Sequence, residues 1–390
     1  MPIALVDLPE TRVNLQPLTF LKPISDLRVG IQTIKEKWMR WLPEKPTIIS
    51  AEYLNLHANT PFSGLAIASN LFPNQELVEA CLNLKEGQVL VQEGFTIAAV
   101  VTEFENGPID QKEARAIPFE GKIHKIEFPW DIFHQNGQQI REDFERITTG
   151  RISQKLSDPF TRIYGNQVFL EEGAQIKAAI LNAENGPIYI GKNATVHEGA
   201  MIRGPFALGE QGQINMGAKI RGDATVGPYC KVGGEYSNSI MMGYSNKGHD
   251  GFLGNSVIGE WCNLGADTNN SNLKNNYGPV KMWSYEKNRY VDTGLQFCGL
   301  IMGDHSKCAI NTMFNTGTVV GMAANLFGID FHKKFVPSFS WGGRNHYSTY
   351  QLAKAYETMD LVMSRRGQKL DEKAKNAVAH VFEITAPYRK

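Results

Sequence analysis

The chain has 390 residues, enough for two domains and a tail at roughly 100 to 200 residues per domain. Its 40 Lys and Arg balance 40 Asp and Glu, so the net charge is zero and nothing indicates a nucleic-acid or anionic-membrane partner. No apolar run approaches the ~20 residues of a membrane span, and the opening MPIALVDLPETR is acidic where a secretory signal is basic, which predicts a cytoplasmic protein. The cysteines lack CxxC spacing, which predicts buried thiols in a reducing compartment. They are Cys81, Cys230, Cys262, Cys298 and Cys308.

Residues 1–150 mix strand-like and helix-like segments. The strand-like runs are IALVD, TIISA, GLAIA and TIAAVVTEF, and the helix-like stretches are VGIQTIKEKWMRWL and NQELVEACLNL. This mixture predicts an α/β layer domain. The following segment, WDIFHQNGQQIREDFERIT, predicts an amphipathic helix that leads into the next domain.

Aliphatic residues then recur at every sixth position. They are Ile190, Val196, Ile202, Leu208, Ile214, Ile220, Val226 and Val232, with mostly small residues two positions before each. A six-residue period is typical of a parallel β-helix, in which each hexapeptide forms one face of a triangular coil and points its aliphatic residue inward. Further inward positions are predicted at Leu170, Ile176, Phe252, Ile258, Leu264, Met302, Cys308, Phe314 and Val320.

The coil is expected from about residue 165 to about residue 325, within a domain of residues 151–335. The segment YSNSIMMGYSNKGHDG and a longer loop after Leu264 interrupt the period and are expected to leave the coil. Excursions from a rigid solenoid commonly carry function. The last segment, residues 336–390, is predicted to form two helices between Tyr347 and about Phe382, broken near Gly367 and packed on the coil or on a neighbouring subunit.

Two stretches resemble one enzyme family. KGHDGFLGNSVIGEWCNLGADTNNSNL (residues 247–273) is similar to the acetyltransferase half of the bifunctional bacterial enzymes that acetylate glucosamine 1-phosphate and then uridylylate the product. TRVNLQPLTFLKPISDLRVG (residues 11–30) resembles the opening of sugar-1-phosphate nucleotidyltransferases. The resemblance implies a reduced nucleotidyltransferase-like domain followed by a left-handed parallel β-helix. The left hand comes from the family, since parallel crossovers are generally right-handed.

The resemblance also implies roles for residues of the coil. His249 matches the loop histidine that acts as general base, a role that imidazole fills near neutral pH. Positions that match the sugar-phosphate site are Arg221, Glu235, Ser237, Phe252 and Asn263, with Lys219 as an alternative to Arg221. Ser237 and Phe252 replace a lysine and a tyrosine of the family, which leaves the identity of the sugar phosphate open. For Asn263 a structural role at a coil corner is as good an interpretation.

Acetyl-coenzyme A is expected in the groove between adjacent coils of a homotrimer. The resemblance assigns this donor to Ala266, Asn272 and Thr316, and His332-Lys333-Lys334 is a candidate for meeting its phosphates. A structural corner role for Asn272, and a solvated face for the basic segment, remain open.

The nucleotide site of the first domain departs from the family pattern. The glycine-rich phosphate turn is replaced by DLPE, while Arg12 and Lys22 match residues that neutralise the triphosphate and the sugar phosphate. Asn70 stands where the family has a metal-binding aspartate, and Mg²⁺ prefers a carboxylate ligand. Uridylyl transfer from UTP is therefore expected to be reorganised or lost.

The sequence as a whole predicts acetyl transfer from acetyl-coenzyme A to an amino-sugar 1-phosphate, with UDP-N-acetylglucosamine for the cell envelope as the product if uridylyl transfer survives. The alternative is a non-catalytic nucleotide-sugar-binding sensor or scaffold. The motif IRGD, which also occurs in zinc-dependent carbonic anhydrases with a β-helix, raises a zinc lyase as a further alternative. This alternative is weaker, because such a zinc needs three histidines and His197, His249 and His305 stand far apart along the coil.

Overall fold

The computed structural model describes residues 1–54, 61–105, 107–109 and 114–389. They form two compact units, residues 1–27 with 32–128 and residues 28–31 with 129–390. The predicted succession of an α/β domain, a parallel β-helix and C-terminal helices is confirmed. None of the helices in the described ranges combines the length and the hydropathy of a membrane span.

The first unit is built on a six-stranded sheet with the strand order β2-β1-β3-β6-β5-β7. Its strands are β1 (Ile3–Val6), β2 (Thr47–Ile49), β3 (Phe62–Ala68), β4 (Leu71–Phe72), β5 (Gln88–Gln92), β6 (Phe95–Phe104), β7 (Arg115–Pro118) and β8 (His124–Lys125). Strand β1 is parallel to β2 and β3, β6 is antiparallel to β3 and β5, β7 is parallel to β5, and β4 pairs with β8 outside this sheet. Its helices are α1 (Pro9–Asn14), α2 (Ile34–Trp38) and α3 (Gln75–Leu82), with 3-10 turns at Ile24–Asp26 and Glu52–Leu54.

The four predicted strands of this domain are present as β1, β2, β3 and β6, and NQELVEACLNL forms α3. The stretch VGIQTIKEKWMRWL is helical only over α2, which is shorter than expected. Thr33 and Glu36 form a capping box in which each side chain accepts the backbone N–H of the other residue. This reciprocal cap satisfies N–H groups at the helix start and fixes the start after Thr33.

The second unit is a coil with three faces. Face 1 is a nine-stranded sheet with Val168–Leu170, Ile188–Ile190, Phe206–Leu208, Ala224–Val226, Ile240–Gly243, Val257–Glu260, Leu300–Met302, Thr318–Val320 and Phe335–Val336. Face 2 is a ten-stranded sheet with Gln175–Ile176, Thr195–Val196, Gln213–Ile214, Lys231–Val232, Asn246–Lys247, Asn263–Leu264, Lys307–Cys308, Asn325–Leu326, Ser340–Gly343 and His346–Thr349. Face 3 is a six-stranded sheet with Arg162–Tyr164, Ile180–Asn182, Met201–Arg203, Lys219–Ile220, Glu235–Ser237 and Phe252–Gly254.

The interior of the coil confirms the six-residue period. All eight aliphatic residues from Ile190 to Val232 are buried in one core cluster, together with Leu170, Ile176, Ile258 and Leu264. The cluster also contains Met302, Cys308, Phe314 and Val320. Burial of each large aliphatic side chain contributes on the order of 1.5 to 3 kcal/mol. All five cysteines are buried free thiols, as expected.

Two expectations for the coil are wrong. Phe252 is half-buried on the outside of face 3, and Leu253 takes the inward position beside it. The segment YSNSIMMGYSNKGHDG does not leave the coil but supplies parts of three of its strands, with Tyr236, Met241 and Lys247 buried inside. These inward residues follow Val232 at steps of four, five and six residues, so a fixed period of six does not detect them.

The second excursion is present. After the strand Asn269–Asn270, which pairs with Met313–Phe314, the chain leaves the coil and returns at Leu300–Met302. The excursion contains an antiparallel hairpin of Lys281–Ser284 and Arg289–Asp292.

Helix α4 (Pro129–Thr148), predicted from its amphipathic pattern, packs against the coil. The Asn136 side chain accepts the N–H of Gly30 at 2.8 Å and the Thr225 hydroxyl at 3.1 Å, and donates to the Asp223 carbonyl at 2.9 Å. A Cβ at Gly137 would lie 1.9 Å from the Asp223 carboxylate, so glycine permits this close approach. Residues 28–31 are thereby held against α4 within the second unit.

The C-terminal end consists of helices α5 (Leu352–Ser364) and α6 (Glu372–Ile384), followed by a 3-10 turn at Ala386–Tyr388. The predicted break lies at Gly367, whose φ of +69° is in the left-handed region that glycine favours. The predicted packing on the coil is confirmed, since the Phe339 and Phe382 rings meet edge to face at 5.0 Å. Residues 346–349 form a strand rather than the helix start expected at Tyr347.

Candidate active site

A groove of about 750 Å³ lies on face 2 of the coil. Four consecutive strands place Lys231, Asn246, Asn263 and Lys307 in register. Since inward and outward residues alternate along a strand, these four line the outside of the coil. The remaining lining is Asn215, Tyr244, Gly248, His249, Trp261, Cys262, Leu264, Gly265, Ala266, Ile310, Val362, Arg365 and Arg366.

His249 lies at the corner between faces 2 and 3, where its side chain is exposed and lines the groove. The corner backbone is held by Asn215, whose amide donates to the Gly248 carbonyl at 2.7 Å. Gly251 has a φ of +112°, and a Cβ there would lie 2.3 Å from the Thr268 carbonyl oxygen. Only glycine fits this turn without displacing the next rung. The imidazole is therefore presented on a well-anchored corner.

Lys247 supports the same corner from inside the coil. It occupies an inward position next to Val232 and is 1% exposed. Its ammonium donates to the carbonyl oxygens of His249, at 2.6 Å, and Asp250, at 2.9 Å. Burial lowers the pKa of Lys247 to about 8, with the Asp250 charge opposing the shift. This lysine replaces an aliphatic core residue with a polar anchor for the histidine-bearing corner.

The structure brings three of the predicted site residues together in the groove: His249, Asn263 and Ala266. Asn263 is exposed and stands in register between Asn246 and Lys307. Their assigned roles in sugar-phosphate and donor binding stay predictions.

The other predicted acceptor residues lie on face 3. Arg221 is exposed and forms a 2.9 Å ion pair with Glu235. Glu235 and Ser237 stand in register with Phe252 and Gly254. A Cβ at Gly254 would lie 2.4 Å from the Phe252 ring, so the ring lies over this glycine. These residues form a second surface, joined to the groove by the corner that carries His249.

Two of the predicted donor residues lie away from the groove lining. Asn272 donates to the Asn255 side chain at 2.8 Å, which matches the structural interpretation of an asparagine at a coil corner. Thr316 is 7% exposed. Lys219, the alternative to Arg221, is exposed on face 3 in register with Glu235.

The basic segment 332–334 borders a different cavity. Lys333 and Lys334 line a space of about 590 Å³ together with aromatic residues that include Phe335 and Tyr347. His332 is buried, its Nδ1 lies 2.9 Å from the Tyr347 hydroxyl, and burial lowers its pKa.

Several groove residues were not predicted from the sequence. The outward residues Lys231, Asn246 and Lys307 each precede an inward residue, so a corrected register would have identified them. Arg365 and Arg366 follow the end of α5 and have no periodic signal that links them to face 2. Only folding brings this part of the tail to the groove.

Arg12, a residue predicted to bind the nucleotide, forms its hydrogen bonds within the first unit. Its guanidinium donates to Asp7 at 2.9 Å, Ser50 at 3.0 Å, the Lys22 carbonyl at 2.9 Å and the Tyr53 hydroxyl at 2.9 Å. It also donates to the Thr19 carbonyl. Burial raises the pKa of Asp7, an effect opposed by Arg12. These contacts support a structural role for Arg12, whose nucleotide binding stays a prediction.

The remaining predicted nucleotide and metal residues are also buried. Lys22 is 8% exposed and Asn70 is 1% exposed. The Asn70 amide donates to the Ile126 carbonyl at 2.9 Å, and its oxygen is buried. A buried amide oxygen does not fit Mg²⁺, which prefers carboxylates and retains several waters. Across the described ranges no group of three or more His, Cys, Asp or Glu is arranged to hold a metal ion.

Comparison with known proteins gives matches to separate parts of the chain. Residues 3–152 match the family model described as sugar nucleotidyl transferase. No curated protein matches the sequence. Among solved structures, the polySia-specific acetyltransferase NeuO is 14% identical with a TM-score of 0.28, over 49% of this chain and 86% of its own.

Two further solved structures are UDP-N-acetylglucosamine acyltransferases. The Arabidopsis protein is 13% identical with a TM-score of 0.26, over 55% of this chain and 80% of its own. The protein from Campylobacter jejuni is 14% identical with a TM-score of 0.20, over 58% of this chain and 95% of its own. The first 150 residues or so are thus similar to sugar nucleotidyl transferases by sequence, and the chain has structural matches among acyltransferases.

Proposed function

We propose that the second unit transfers an acetyl group from acetyl-coenzyme A to the amine of an amino-sugar 1-phosphate, with glucosamine 1-phosphate as the expected acceptor. The observation that carries the proposal is the position of His249, an exposed imidazole on an anchored corner that lines a groove of about 750 Å³. The resemblance of residues 247–273 to the acetyltransferase family suggests the type of reaction, and the groove could hold the substrates beside His249.

In this reaction the amine nitrogen attacks the thioester carbonyl carbon. A nitrogen–carbon bond forms, the carbon–sulfur bond breaks, and the amine proton passes to the His249 imidazole. The imidazolium then returns this proton to the leaving thiolate, so the products are the amide and free coenzyme A. His249 must be neutral when the amine attacks, which suits an imidazole near neutral pH.

The surrounding residues support this assignment. Lys247 fixes the backbone at His249 and Asp250, which limits the positions that the imidazole can take. The groove lining includes Lys231, Lys307, Arg365 and Arg366, whose charges suit substrates that both carry phosphate. Arg221, Glu235 and Phe252 on face 3 remain candidates for contacting the sugar phosphate.

The direct test is thiol release from acetyl-coenzyme A with glucosamine 1-phosphate. His249→Ala should slow turnover by about 10²- to 10⁴-fold, the usual contribution of a general base. His346→Ala, which removes another exposed histidine on the strand His346–Thr349, should keep full activity. Thermal unfolding should be the same in both variants because neither side chain is buried.

Turnover by His249→Ala at the wild-type rate would contradict the assignment of the base. If no amino-sugar phosphate supports thiol release, the sensor or scaffold function becomes the better account of the chain. Sedimentation of the same samples tests the proposed homotrimer, in which adjacent coils would border the donor groove.

Uridylyl transfer by the first unit is the second candidate, favoured by the match of residues 3–152 to sugar nucleotidyl transferases. The contacts of Arg12 and the burial of Asn70 favour a reorganised or inactive site. Addition of UTP and Mg²⁺ to the acetylated product tests this candidate. Release of pyrophosphate would show an active first unit, and its absence alongside thiol release would leave acetyl transfer as the activity.

A further inference from the structure

The groove on face 2 carries an unbalanced positive charge. Its lining includes Lys231, Lys307, Arg365 and Arg366, and no described aspartate or glutamate is part of that lining. The whole chain has zero net charge, so this concentration of cations is a local feature. A concave site lined by one sign of charge attracts ligands of the opposite sign.

The two arginines are unpaired within the described part of the chain. Among the described residues, neither the Arg365 nor the Arg366 guanidinium has a hydrogen bond or an ion pair, and both side chains are exposed. Some exposed arginines of the same unit are paired, Arg221 with Glu235 and Arg344 with Asp330. The guanidinium N–H groups of Arg365 and Arg366 are therefore available to a ligand.

The backbone that carries these arginines is fixed. Helix α5 ends at Ser364, Arg365 is its C-cap, and Gly367 turns the chain with a φ of +69°. The N–H groups of Gly367 and Gln368 donate to the carbonyls of Ser364 and Met363, at 3.0 Å and 3.1 Å. This glycine-terminated turn is a common helix end, and it holds both arginines at the groove.

A second observation also indicates a polar ligand. The Asn246 side-chain oxygen is buried in the lining of the groove, and no described residue donates to it. Asn246 stands in register between Lys231 and Asn263. Buried polar atoms are generally satisfied, so this oxygen is available for a donor group of a bound molecule or a bridging water.

We infer that the groove binds a phosphate-bearing ligand and that Arg365 and Arg366 contact its phosphate. Guanidinium pairs with phosphate oxygens through two parallel hydrogen bonds, a geometry that lysine does not provide. Lys231 and Lys307 stand three strands apart, roughly 14 Å, and add charge along the groove. The inference rests on the proposed function in placing this phosphate on a substrate of acetyl transfer.

Binding is measured by calorimetry with three probes: coenzyme A, 3′-dephospho-coenzyme A and glucosamine 1-phosphate. The test variant is Arg365→Gln with Arg366→Gln, which keeps polar side chains, shorter than arginine, and removes both charges. Its affinity for the probe whose phosphate is contacted should fall about tenfold or more, as expected for losing charge-assisted hydrogen bonds. Wild-type affinity should also weaken more steeply with salt than that of the variant.

Comparing the affinity losses of the double variant among the three probes identifies which phosphate the arginines contact. A loss with coenzyme A alone indicates the 3′-phosphate of the donor, a loss with both coenzymes indicates the diphosphate, and a loss with glucosamine 1-phosphate alone indicates the acceptor. Arg162→Gln, an exposed arginine on the first strand of face 3, is the matched control and should bind every probe like the wild type.

Equal affinities of the double variant and the wild type for all probes would overturn the inference, as would a wild type that binds none of them. Unfolding midpoints of the variants should equal that of the wild type, since the arginines are exposed. Binding does not require turnover, so the two proposals fail separately. Phosphate binding that depends on the arginines without thiol release would reject acetyl transfer. Thiol release with unchanged KM for both substrates in the double variant would reject the arginine site.

Discussion

The two units use their cationic side chains in opposite ways. In the first unit Arg12 is buried against Asp7 and donates to carbonyl and hydroxyl groups around it. In the second unit Arg365 and Arg366 border a groove, and their guanidinium groups form no hydrogen bond or ion pair with a described residue. A charge neutralised in the interior holds a fold together, whereas a fixed cation without a protein partner is available to a ligand.

The largest effect on stability is expected from breaking the buried pair. Asp7→Ala leaves the Arg12 guanidinium buried without its counter-ion, which should lower the free energy of unfolding by about 3 to 5 kcal/mol. Urea denaturation of the variant measures this loss. Glu372→Ala, which breaks an exposed ion pair with Lys375, is the control and should cost less than about 1 kcal/mol. Similar losses of free energy of unfolding in both variants would show that the buried ion pair contributes no more to stability than the exposed one.

The next effect concerns the lysine inside the coil. Lys247→Met fills the same interior position but removes both hydrogen bonds from the ammonium to the His249 corner, so kcat for acetyl transfer should fall about tenfold with KM nearly unchanged. Steady-state kinetics separates the two constants. Leu326→Met, a volume-conserving change at an inward position of face 2 outside the groove lining, should leave kcat as it is. An unchanged kcat for Lys247→Met would remove Lys247 from the catalytic arrangement.

The lowered pKa of Lys247 also predicts how the free energy of unfolding depends on pH. Burial lowers its pKa to about 8 from the ordinary 10.5, so between these values the unfolded chain binds more protons than the folded chain. The contribution of this lysine to the free energy of unfolding therefore rises from about pH 8 to about pH 10.5, and it is flat below that window. Urea denaturation across that window should show a steeper rise for the wild type than for Lys247→Met. Parallel curves would contradict the assigned shift.

The smallest effect on stability is expected at the exposed pair of face 3. Arg221→Gln removes the ion pair with Glu235, which should change the free energy of unfolding by less than about 1 kcal/mol. If Arg221 contacts the acceptor, the same change should raise KM for glucosamine 1-phosphate and leave KM for acetyl-coenzyme A unchanged. Lys219→Gln tests the alternative residue, and a higher acceptor KM in that variant alone would reverse the assignment.

Most of the coil could be predicted from the sequence, and its exceptions are physically clear. The stack from Ile190 to Val232 follows a strict period because each rung repeats the same local geometry. The prediction fails where rungs shorten after Val232, and Leu253 then takes the inward place expected for Phe252. Of the predicted site residues, His249, Asn263 and Ala266 line one groove, while Arg221, Glu235 and Ser237 lie on another face, and their roles stay predictions.

The amino-acid sequence alone was enough to predict that a six-residue repeat forms a parallel coil, that an α/β sheet precedes it and that two helices follow it. Periodicity and turn chemistry are properties of neighbouring residues, so they can be read along one segment. Three features became visible only in the folded chain: Arg12 forms a buried ion pair with Asp7, Lys247 supports the corner of His249, and Arg365 and Arg366 lie at the groove on face 2. The surroundings of each of these charged side chains depend on how strands, rungs and helices pack, which a local sequence pattern does not specify.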